Sequence, residues 1–327
     1  MKYRQFGKTD MKISELSFGT WAIGGAWGQT NDTEALNGLA RAMDAGVNFF
    51  DTADVYGDGH SEELLAKATK GKEDQIHIAT KFCRAGDIHD PANYSEAAVT
   101  NYVENSLRRL EREQLDLIQI HCPPIEIIRD GAVFDVLDSL KKQGKIRHYG
   151  VSVETVEEGL LAMENPNVDA LQVIFNIFRQ KPVTELFPVA KQKNVGILAR
   201  VPLASGLLTG KFSSGHQFEE DDHRKFNQNG EAFNVGETFA GLPFDKGVEL
   251  SNQLDWIKDG RGNMTRAALK WILSHDAVSS VIPGFKTVKQ VEDSLATMEV
   301  PDFTETELKR LQNFYKNDVH DHIRGPY

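Results

Sequence analysis

The chain has 327 residues, of which 40% are hydrophobic and 26% charged, the ordinary balance of a soluble globular protein. Its 37 lysines and arginines against 48 aspartates and glutamates give a net charge of −11, which argues against nucleic acid or an anionic membrane surface as a partner. Two cysteines, Cys83 and Cys122, a polar N-terminus and the lack of any apolar run near 18 residues predict a cytoplasmic protein without disulfides or a membrane span.

Alternation of strands and helices is the main pattern along the chain. A β-hairpin is predicted first, from Lys2–Phe6 and Lys12–Leu16. Eight apolar or β-branched segments then predict strands at Leu16–Gly19, Val47–Phe50, Ile76–Ala79, Leu115–Ile120, Ile146–Gly150, Ala170–Ile174, Val195–Leu198 and Ala277–Ile282. Segments of helical period lie between them, including Glu34–Ala45, Glu96–Leu110 and Ala132–Lys142.

This alternation indicates parallel strands joined by helical crossovers, and eight such units favour an α/β fold of the (β/α)8 TIM-barrel type. An open doubly wound sheet with an added domain is the alternative, but no Gly-x-Gly-x-x-Gly follows the first strand. No linker or low-complexity tract interrupts the chain, so residues 1–327 are predicted to form one domain.

Two further pieces lie outside the alternation. A long segment follows the seventh strand, with helices predicted at Phe244–Lys258 and Thr265–His275 and a mobile loop at Ser213–Gly241. An extra C-terminal helix begins with Thr304-Glu-Thr-Glu307, a capping-box pattern.

Four polar side chains fall at the carboxyl ends of consecutive predicted strands. Asp51 and Tyr56 follow the second strand, Lys81 follows the third, and His121 ends the fourth. In a parallel barrel these strand ends share one rim, so the side chains are expected to converge there.

Such a set could deliver a proton to a carbonyl oxygen. An ammonium about 4 Å from a phenol, at an effective dielectric near 20, contributes roughly 4 kcal/mol. Lys81 would thus lower the pKa of Tyr56 by at most about three units, and by less where Asp51 neutralises the lysine. His121 would donate a hydrogen bond to the carbonyl oxygen or hold Tyr56. The side chains cannot supply a hydride, which implies a nicotinamide cofactor.

The motifs that carry these residues resemble the aldo-keto reductases of bacterial type, which use NADP(H). They are Phe50-Asp-Thr-Ala-x-x-Tyr-Gly57, Thr80-Lys81, Ile120-His121-x-Pro123, Gly19–Gly25, Pro202–Lys211 and Ile282–Lys286. The resemblance implies NADPH-dependent reduction of an aldehyde or ketone to an alcohol, with hydride from nicotinamide C4 and Tyr56 as the proton donor. Lys81 and Asp51 would tune Tyr56, and His121 would orient the carbonyl group.

The resemblance also implies a site for NADPH/NADP+. Its expected residues are Ser152 and Gln172 at the carboxamide, Leu203, Ser205, Gly206, Leu208 and Lys211 in a clasp around the pyrophosphate, Gly284 and Lys286 near the 2′-phosphate, and Gln290 and Asp293 near the adenine ribose. Arg200 stands where the family commonly stacks an aromatic ring on the nicotinamide, and its charge predicts weaker binding of NADP+ than of NADPH. Val153 and Ser294 replace asparagines frequent in the family. Arg200, Lys211 and Lys286 are predicted to form a local basic pocket.

The substrate is a small carbonyl or alcohol compound whose identity the sequence leaves open, as it does the choice between monomer and homo-oligomer. Trp21 and Trp27 are predicted to form a substrate wall, with core aromatics as the alternative. No metal site is predicted, because His320 and His322 lack further ligands at suitable spacing.

Three other functions stay open: an NADP(H)-binding sensor or accessory subunit with slow turnover, a sugar or polyol dehydrogenase working oxidatively, and an isomerase or lyase without nicotinamide.

Overall fold

A computed structural model of the chain describes residues 1–25 and 31–327. The strands among these residues are β1 Tyr3–Gln5, β2 Lys12–Ser14, β3 Phe18–Gly19, β4 Phe49–Asp51, β5 His77–Phe82, β6 Leu115–His121, β7 Ile146–Ser152, β8 Ala170–Ile174, β9 Gly196–Arg200 and β10 Val278–Val281. The helices are α1 Asp32–Asp44, α2 His60–Thr69, α3 Glu96–Leu110, α4 Ile125–Asp130, α5 Ala132–Lys142, α6 Val156–Ala162, α7 Pro182–Glu185, α8 Phe187–Lys193, α9 His223–Phe226, α10 Phe244–Asn252, α11 Met264–Leu273, α12 Val288–Leu295 and α13 Glu305–Phe314.

Strands β3 to β10 form one parallel sheet in which neighbours in sequence are neighbours in space. Backbone contacts join its first and last strands: the Ser17 amide donates to the Val281 carbonyl, and the Gly19 amide to the Pro283 carbonyl, each at 3.0 Å. The sheet therefore closes on itself. The predicted (β/α)8 barrel is confirmed, and the open-sheet alternative is wrong.

Local sequence signals explain where several helices begin and end. The Ser95 side chain accepts the Ala98 amide at the start of α3, and α3 ends where Glu111 turns to a left-handed φ of 52°. The expected capping box of Thr304 and Glu307 is formed at α13. These caps satisfy backbone groups that a helix end leaves without partners.

The N-terminal hairpin of β1 and β2 packs against the amino ends of the barrel strands. Phe6 and Ile13 of the hairpin region share a buried cluster with Phe49 and Leu117 from inside the barrel. Gly196, the first residue of β9, has no side chain because a Cβ there would lie 2.4 Å from the Phe6 ring. The hairpin thus fills one end of the barrel, and the carboxyl ends of the strands remain for a site.

Several strands end later than their apolar runs predict. Asp51 ends β4 and Lys81 lies inside β5, whereas the sequence analysis placed both after their strands. The reason is that ladder pairing is a backbone property: β5 and β6 stay in register at Lys81 opposite Gln119 although both side chains are polar. The site residues consequently lie on rigid strands rather than on loops.

The segment after β9 is folded over the barrel, whereas the sequence predicted a mobile loop at 213–241. It contains α9 and two 3-10 turns, Val235–Glu237 and Phe239–Gly241, and Phe239 is completely buried. The predicted helix 244–258 is broken into α10 and a 3-10 turn, Asp255–Lys258. Among the residues described, no helix is both long and apolar enough to cross a membrane.

Candidate active site

A cleft of about 860 Å³ lies at the carboxyl end of the barrel. Its lining comes from the ends of β3, β4, β6 and β9 and from the middle of β8. The loops after β4, β5, β7 and β10, the start of α12 and the long segment between β9 and β10 complete it. A space of this size suits a small-molecule ligand. The rim is the one on which Asp51, Tyr56, Lys81 and His121 were predicted to converge.

Lys81 is buried beside Asp51 and Tyr56, which line the floor of the cleft. Its Nζ lies 2.6 Å from Asp51 Oδ2, 2.8 Å from the Thr52 carbonyl oxygen and 3.4 Å from the Tyr56 hydroxyl oxygen. Lys81 is completely buried, and these three acceptors use all three protons of its ammonium group. The ammonium is therefore fixed beside the phenol, as the sequence predicted.

Two glutamine side chains hold the other oxygen of Asp51. Gln172 Nε2 donates to Asp51 Oδ1 at 2.7 Å, and Gln119 Nε2 donates to the same atom at 3.3 Å. Gln172 was predicted as a carboxamide contact, whereas Gln119 was not predicted at all. Gln119 could have been predicted as a site residue, because it lies two residues before His121 and therefore on the same face of β6.

Tyr56 and His121 face each other with ring centroids 5.9 Å apart and planes at 80°. Burial raises the pKa of Tyr56, and this effect outweighs the opposing influence of Lys81. The expectation of a lowered pKa was therefore wrong, because the sequence does not show how completely the phenol is removed from water. The phenol keeps its proton at neutral pH, as a proton donor must.

Burial, with Arg84 and Lys81 nearby, holds the pKa of His121 well below its usual range. The imidazole is thus neutral, with one N–H to donate. His121 lines the cleft, and because its Nδ1 is buried without a hydrogen-bond partner among the described residues, Nε2 is the ring nitrogen that can meet a ligand. This arrangement fits a histidine that donates a hydrogen bond to a ligand oxygen.

The predicted pyrophosphate clasp after β9 has an unusual backbone. Ala204, Ser205 and Gly206 have φ values of 47°, 54° and 102°. Left-handed residues cost about 1–3 kcal/mol each where they are not glycine, and such loops can form concavities of backbone N–H groups that bind anions. The Ser205 hydroxyl also donates to the Glu237 carbonyl oxygen and accepts the Phe239 amide, each at 3.1 Å. The clasp is thereby tied to the long segment.

Eight predicted cofactor residues line the cleft, and four do not. Those that line it are Gln172, Arg200, Leu203, Ser205, Gly206, Gly284, Lys286 and Gln290. Those that do not are Ser152, Leu208, Lys211 and Asp293. Ser152 lies buried behind Cys122, whose Sγ donates to its hydroxyl oxygen at 3.4 Å, and Leu208 belongs to the core.

The two charged residues among these four lie outside the cleft. Asp293 accepts hydrogen bonds from Asn263 and Arg266, and Lys211 is exposed outside the cleft. Arg224 of α9 lines the cleft instead, as does Lys286. Lys211 therefore does not belong to the basic pocket that was predicted in the cleft. Arg224 was not predicted, because it lies in the stretch 213–241 for which the sequence predicts a loop.

A partly buried cluster of four charged side chains forms one wall of the cleft. Arg84 Nη2 lies 2.8 Å from Glu237 and 3.1 Å from Glu154. Arg200 lies 3.1 Å from Glu154 and 3.7 Å from Glu237. Burial, and next the charge of Glu237, raise the pKa of Glu154 to about 7. The two guanidinium groups hold the pKa of Glu237 well below its usual range. Arg200 is thus paired with carboxylates, which the sequence did not reveal.

Three possible metal ligands meet in this wall, since ligand atoms of Cys122, Glu154 and Glu237 lie within 4.8 Å of one another. Arg200 Nη2, however, lies 3.4 Å from Cys122 Sγ and 3.1 Å from Glu154 Oε2. Burial also raises the pKa of the Cys122 thiol. A guanidinium among these atoms suits them better than a metal ion does.

An aromatic wall stands on another side of the cleft. The Trp21 ring stacks on Tyr56 at 6.2 Å between centroids, and it lies 4.6 Å from His223 and 6.1 Å from Phe233. Trp21 and Phe233 both line the cleft. The other predicted wall residue, Trp27, lies outside the described residues.

The amino-acid sequence matches a known enzyme family over most of its length. The model of the aldo/keto reductase family matches residues 15–316. The chain belongs to this family and is an oxidoreductase by membership, as its motifs predicted.

Individual relatives agree with this assignment. Aldo-keto reductase YhdN of Bacillus subtilis (strain 168) is 32% identical, and the match covers 100% of this chain and 97% of the relative. The structure of aldo-keto reductase AKR11C1 from Bacillus halodurans in its holo form superposes with a TM-score of 0.79 at 27% identity, covering 99% of this chain and 100% of that one. Glycerol dehydrogenase AKR11B4 from Gluconobacter oxydans gives 0.78 at 30% identity, covering 99% and 98%.

A more distant structure shows a bound cofactor. The aldo/keto reductase from Klebsiella pneumoniae, solved with NADP and acetate, gives a TM-score of 0.70 at 22% identity, covering 96% of this chain and 95% of that one. That ligand is a property of the Klebsiella protein, and NADPH/NADP+ as the cofactor of this chain belongs to the proposal that follows.

Proposed function

We propose that this protein reduces an aldehyde or ketone to an alcohol with NADPH, and that Tyr56 is the proton donor. The observation that carries the proposal is the buried floor, where Lys81 Nζ joins Asp51 to the Tyr56 hydroxyl and His121 faces the same phenol.

Each side chain of the floor has a separate task. His121 donates its N–H to the carbonyl oxygen and so aligns it with Tyr56. The Tyr56 hydroxyl transfers its proton to that oxygen, and Lys81 stabilises the negative charge that grows on the phenol oxygen. Asp51 keeps Lys81 in place and touches no reacting atom. When bound, the dihydronicotinamide supplies the hydride.

The residues of the cleft fit such a cofactor. The left-handed backbone at 204–206 offers a concave site for a pyrophosphate, and Lys286 and Arg224 supply positive charge in the same cleft. Arg200 Nε is buried without a hydrogen-bond partner among the described residues, so this N–H group makes no hydrogen bond to the carboxylates around it. We assign Gln172 and Arg200 to the nicotinamide and Gln290 to the adenosine end.

Transfer of a label tests this function. NADPH deuterated at C4 on the transferred face is incubated with the protein and a panel of aldehydes and ketones. The expected product carries deuterium on the carbinol carbon. Loss of NADPH without deuterium in an alcohol product, or no reaction with any member of the panel, would contradict the proposal.

Oxidation of a polyol is the second candidate. Its support is the charged wall of Arg84, Glu154 and Glu237, which offers hydrogen bonds to hydroxyl groups, together with the relative that is a glycerol dehydrogenase. Faster turnover of NADP+ with glycerol or a sugar than of NADPH with any carbonyl compound would favour it. The presence of all four floor residues argues against a sensor or accessory subunit with slow turnover. Membership in a family of oxidoreductases argues against an isomerase or lyase. We further propose that residues 1–327 act as one domain on small molecules.

A further inference from the structure

The charged wall joins four separate parts of the chain. Arg84 follows β5, Glu154 follows β7, Arg200 ends β9, and Glu237 comes from the long segment. Each arginine contacts both glutamates, and a carboxylate oxygen of Glu154 lies within 4.8 Å of one of Glu237. With both glutamates ionised the formal charges cancel.

Arg200 occupies the position assigned above to the nicotinamide, so the charge of its surroundings acts on that ring. The ring is neutral in NADPH and carries one positive charge in NADP+. An isolated guanidinium would repel the oxidised form, whereas two carboxylates beside it remove that repulsion. Charge effects of this kind are strong in a buried site because the effective dielectric is low.

We propose that Glu237, acting with Glu154, sets the relative affinity of the site for the two redox states of the nicotinamide. The neutralised wall lets the protein hold NADP+ nearly as well as NADPH, although Arg200 alone predicts a preference for NADPH. Glu237 is therefore a specificity determinant for the cofactor that is contributed by the long segment. This inference rests on the proposed function.

The pair of carboxyl groups also makes the preference depend on pH. Burial and the charge of Glu237 raise the pKa of Glu154 to about 7, so the two carboxyl groups together lose bound proton between pH 6 and pH 8. The net positive charge of the wall falls toward zero over the same range. The affinity for NADP+ relative to NADPH should therefore rise from pH 6 to pH 8.

Other groups around Glu154 do not titrate in this range. The pKa of His121 lies well below it, burial raises the pKa of Cys122, and Arg179, whose Nη2 donates to the Glu154 carbonyl oxygen, has a pKa of about 10. Arg84 and Arg200 keep their charge. Glu158 contacts Glu154 only at its backbone amide, as part of the cap of α6.

Fluorescence titration with NADP+ and with NADPH tests the proposal without any measurement of activity. The quantity compared is the ratio of the two dissociation constants, in which effects on the 2′-phosphate common to both ligands cancel. Glu237→Gln should weaken NADP+ relative to NADPH by at least tenfold, about 1.4 kcal/mol. Glu231→Gln, at an exposed glutamate of the same segment, is the matched control and should leave the ratio unchanged.

Glu154→Gln gives a second route if Glu237→Gln does not fold. A glutamine at 154 resembles the protonated carboxyl group, so the pH dependence between 6 and 8 seen in the natural protein should disappear in this variant. A ratio that stays within twofold in Glu237→Gln, or a pH dependence that survives Glu154→Gln, would overturn the proposal. If the natural protein bound neither form, the proposed function itself would be contradicted.

Discussion

At the scale of residues, the Lys81–Asp51 pair carries a large desolvation cost. Both side chains are buried, and their charges face each other at 2.6 Å with further hydrogen bonds from Gln119 and Gln172. Taking two ions out of water costs several kcal/mol each, which their attraction offsets only with good geometry. The position of this pair beside the cleft supports the role proposed for it above.

Removing one charge and then both tests whether the attraction between Lys81 and Asp51 offsets the cost of taking them out of water. Lys81→Met leaves Asp51 buried without its counter-ion and should lower the free energy of unfolding by about 3–5 kcal/mol. The double variant Asp51→Asn, Lys81→Met removes both charges and should recover part of that loss. Urea unfolding of the three proteins measures the difference. A double variant no more stable than Lys81→Met would contradict this account of the pair.

Asp54 is a second buried carboxyl group at the floor, and neither of its oxygens has a hydrogen-bond partner among the described residues. Burial and the nearby charge of Glu62 raise its pKa to about 7. Because the folded state holds this proton more tightly than the unfolded chain does, stability should fall as the pH rises from about 4 through 7.

Asp54→Asn removes that ionisation. The variant should therefore melt at a higher temperature than the natural protein at pH 8, with a smaller difference or none at pH 5. Thermal melts between pH 5 and pH 8 measure it, and Asp87→Asn, at an exposed aspartate, serves as control. A difference in melting temperature that is the same at every pH would show that Asp54 does not titrate as described.

At the scale of elements, the C-terminal tail fixes the long segment that carries Glu237. Arg324 Nε donates to the Gly241 carbonyl oxygen at 3.0 Å, and its Nη2 donates to those of Gln228 at 2.9 Å and Leu242 at 3.2 Å. Bonds from a charged donor contribute about 1.5–3 kcal/mol each, so this single side chain has a large effect on the segment.

Removal of that side chain should loosen the segment more than the barrel. In Arg324→Ala, we expect faster amide hydrogen exchange across 228–242, with little change in β4 to β8. Exchange followed by mass spectrometry checks this. Arg310→Ala, which removes a different arginine packed on Trp256, is the matched control. Unchanged protection of 228–242 would contradict the role given to the tail.

Much of the fold could be predicted from the sequence because strands and helices have local patterns. The bounds of α3 and α5 agree with the predicted segments, and the four floor residues were found from their positions at strand ends. The charged wall could not be predicted, since its members come from four parts of the chain that are distant in sequence and their pairing depends on the closed barrel. For the same reason the burial that raises the pKa of Tyr56 escaped prediction.

At the scale of the whole molecule, stability and chemistry occupy opposite ends of the barrel. The hairpin fills the amino end with Phe6 and Ile13, while the cleft opens at the carboxyl end. The net charge of −11 belongs to the molecule as a whole, and the cleft holds its own positive groups at Lys286 and Arg224. An acidic protein can therefore receive a ligand rich in phosphate.

Phe6→Ala tests this separation. Loss of a completely buried phenylalanine should lower the free energy of unfolding by about 3–5 kcal/mol. The dissociation constant for NADPH, measured well below the melting temperature, should stay unchanged. Weaker NADPH binding in the folded variant would show that the two ends are coupled.

The central claim is that the Tyr56 proton completes the reduction, and one substitution tests it most directly. Turnover of an aromatic aldehyde at saturating NADPH is compared in the natural protein and in Tyr56→Phe, with the dissociation constant for NADPH measured in both. General acid catalysis contributes about 100-fold or more, so kcat should fall by at least that factor while NADPH binding stays within about twofold. A variant that keeps the natural kcat would contradict the mechanism.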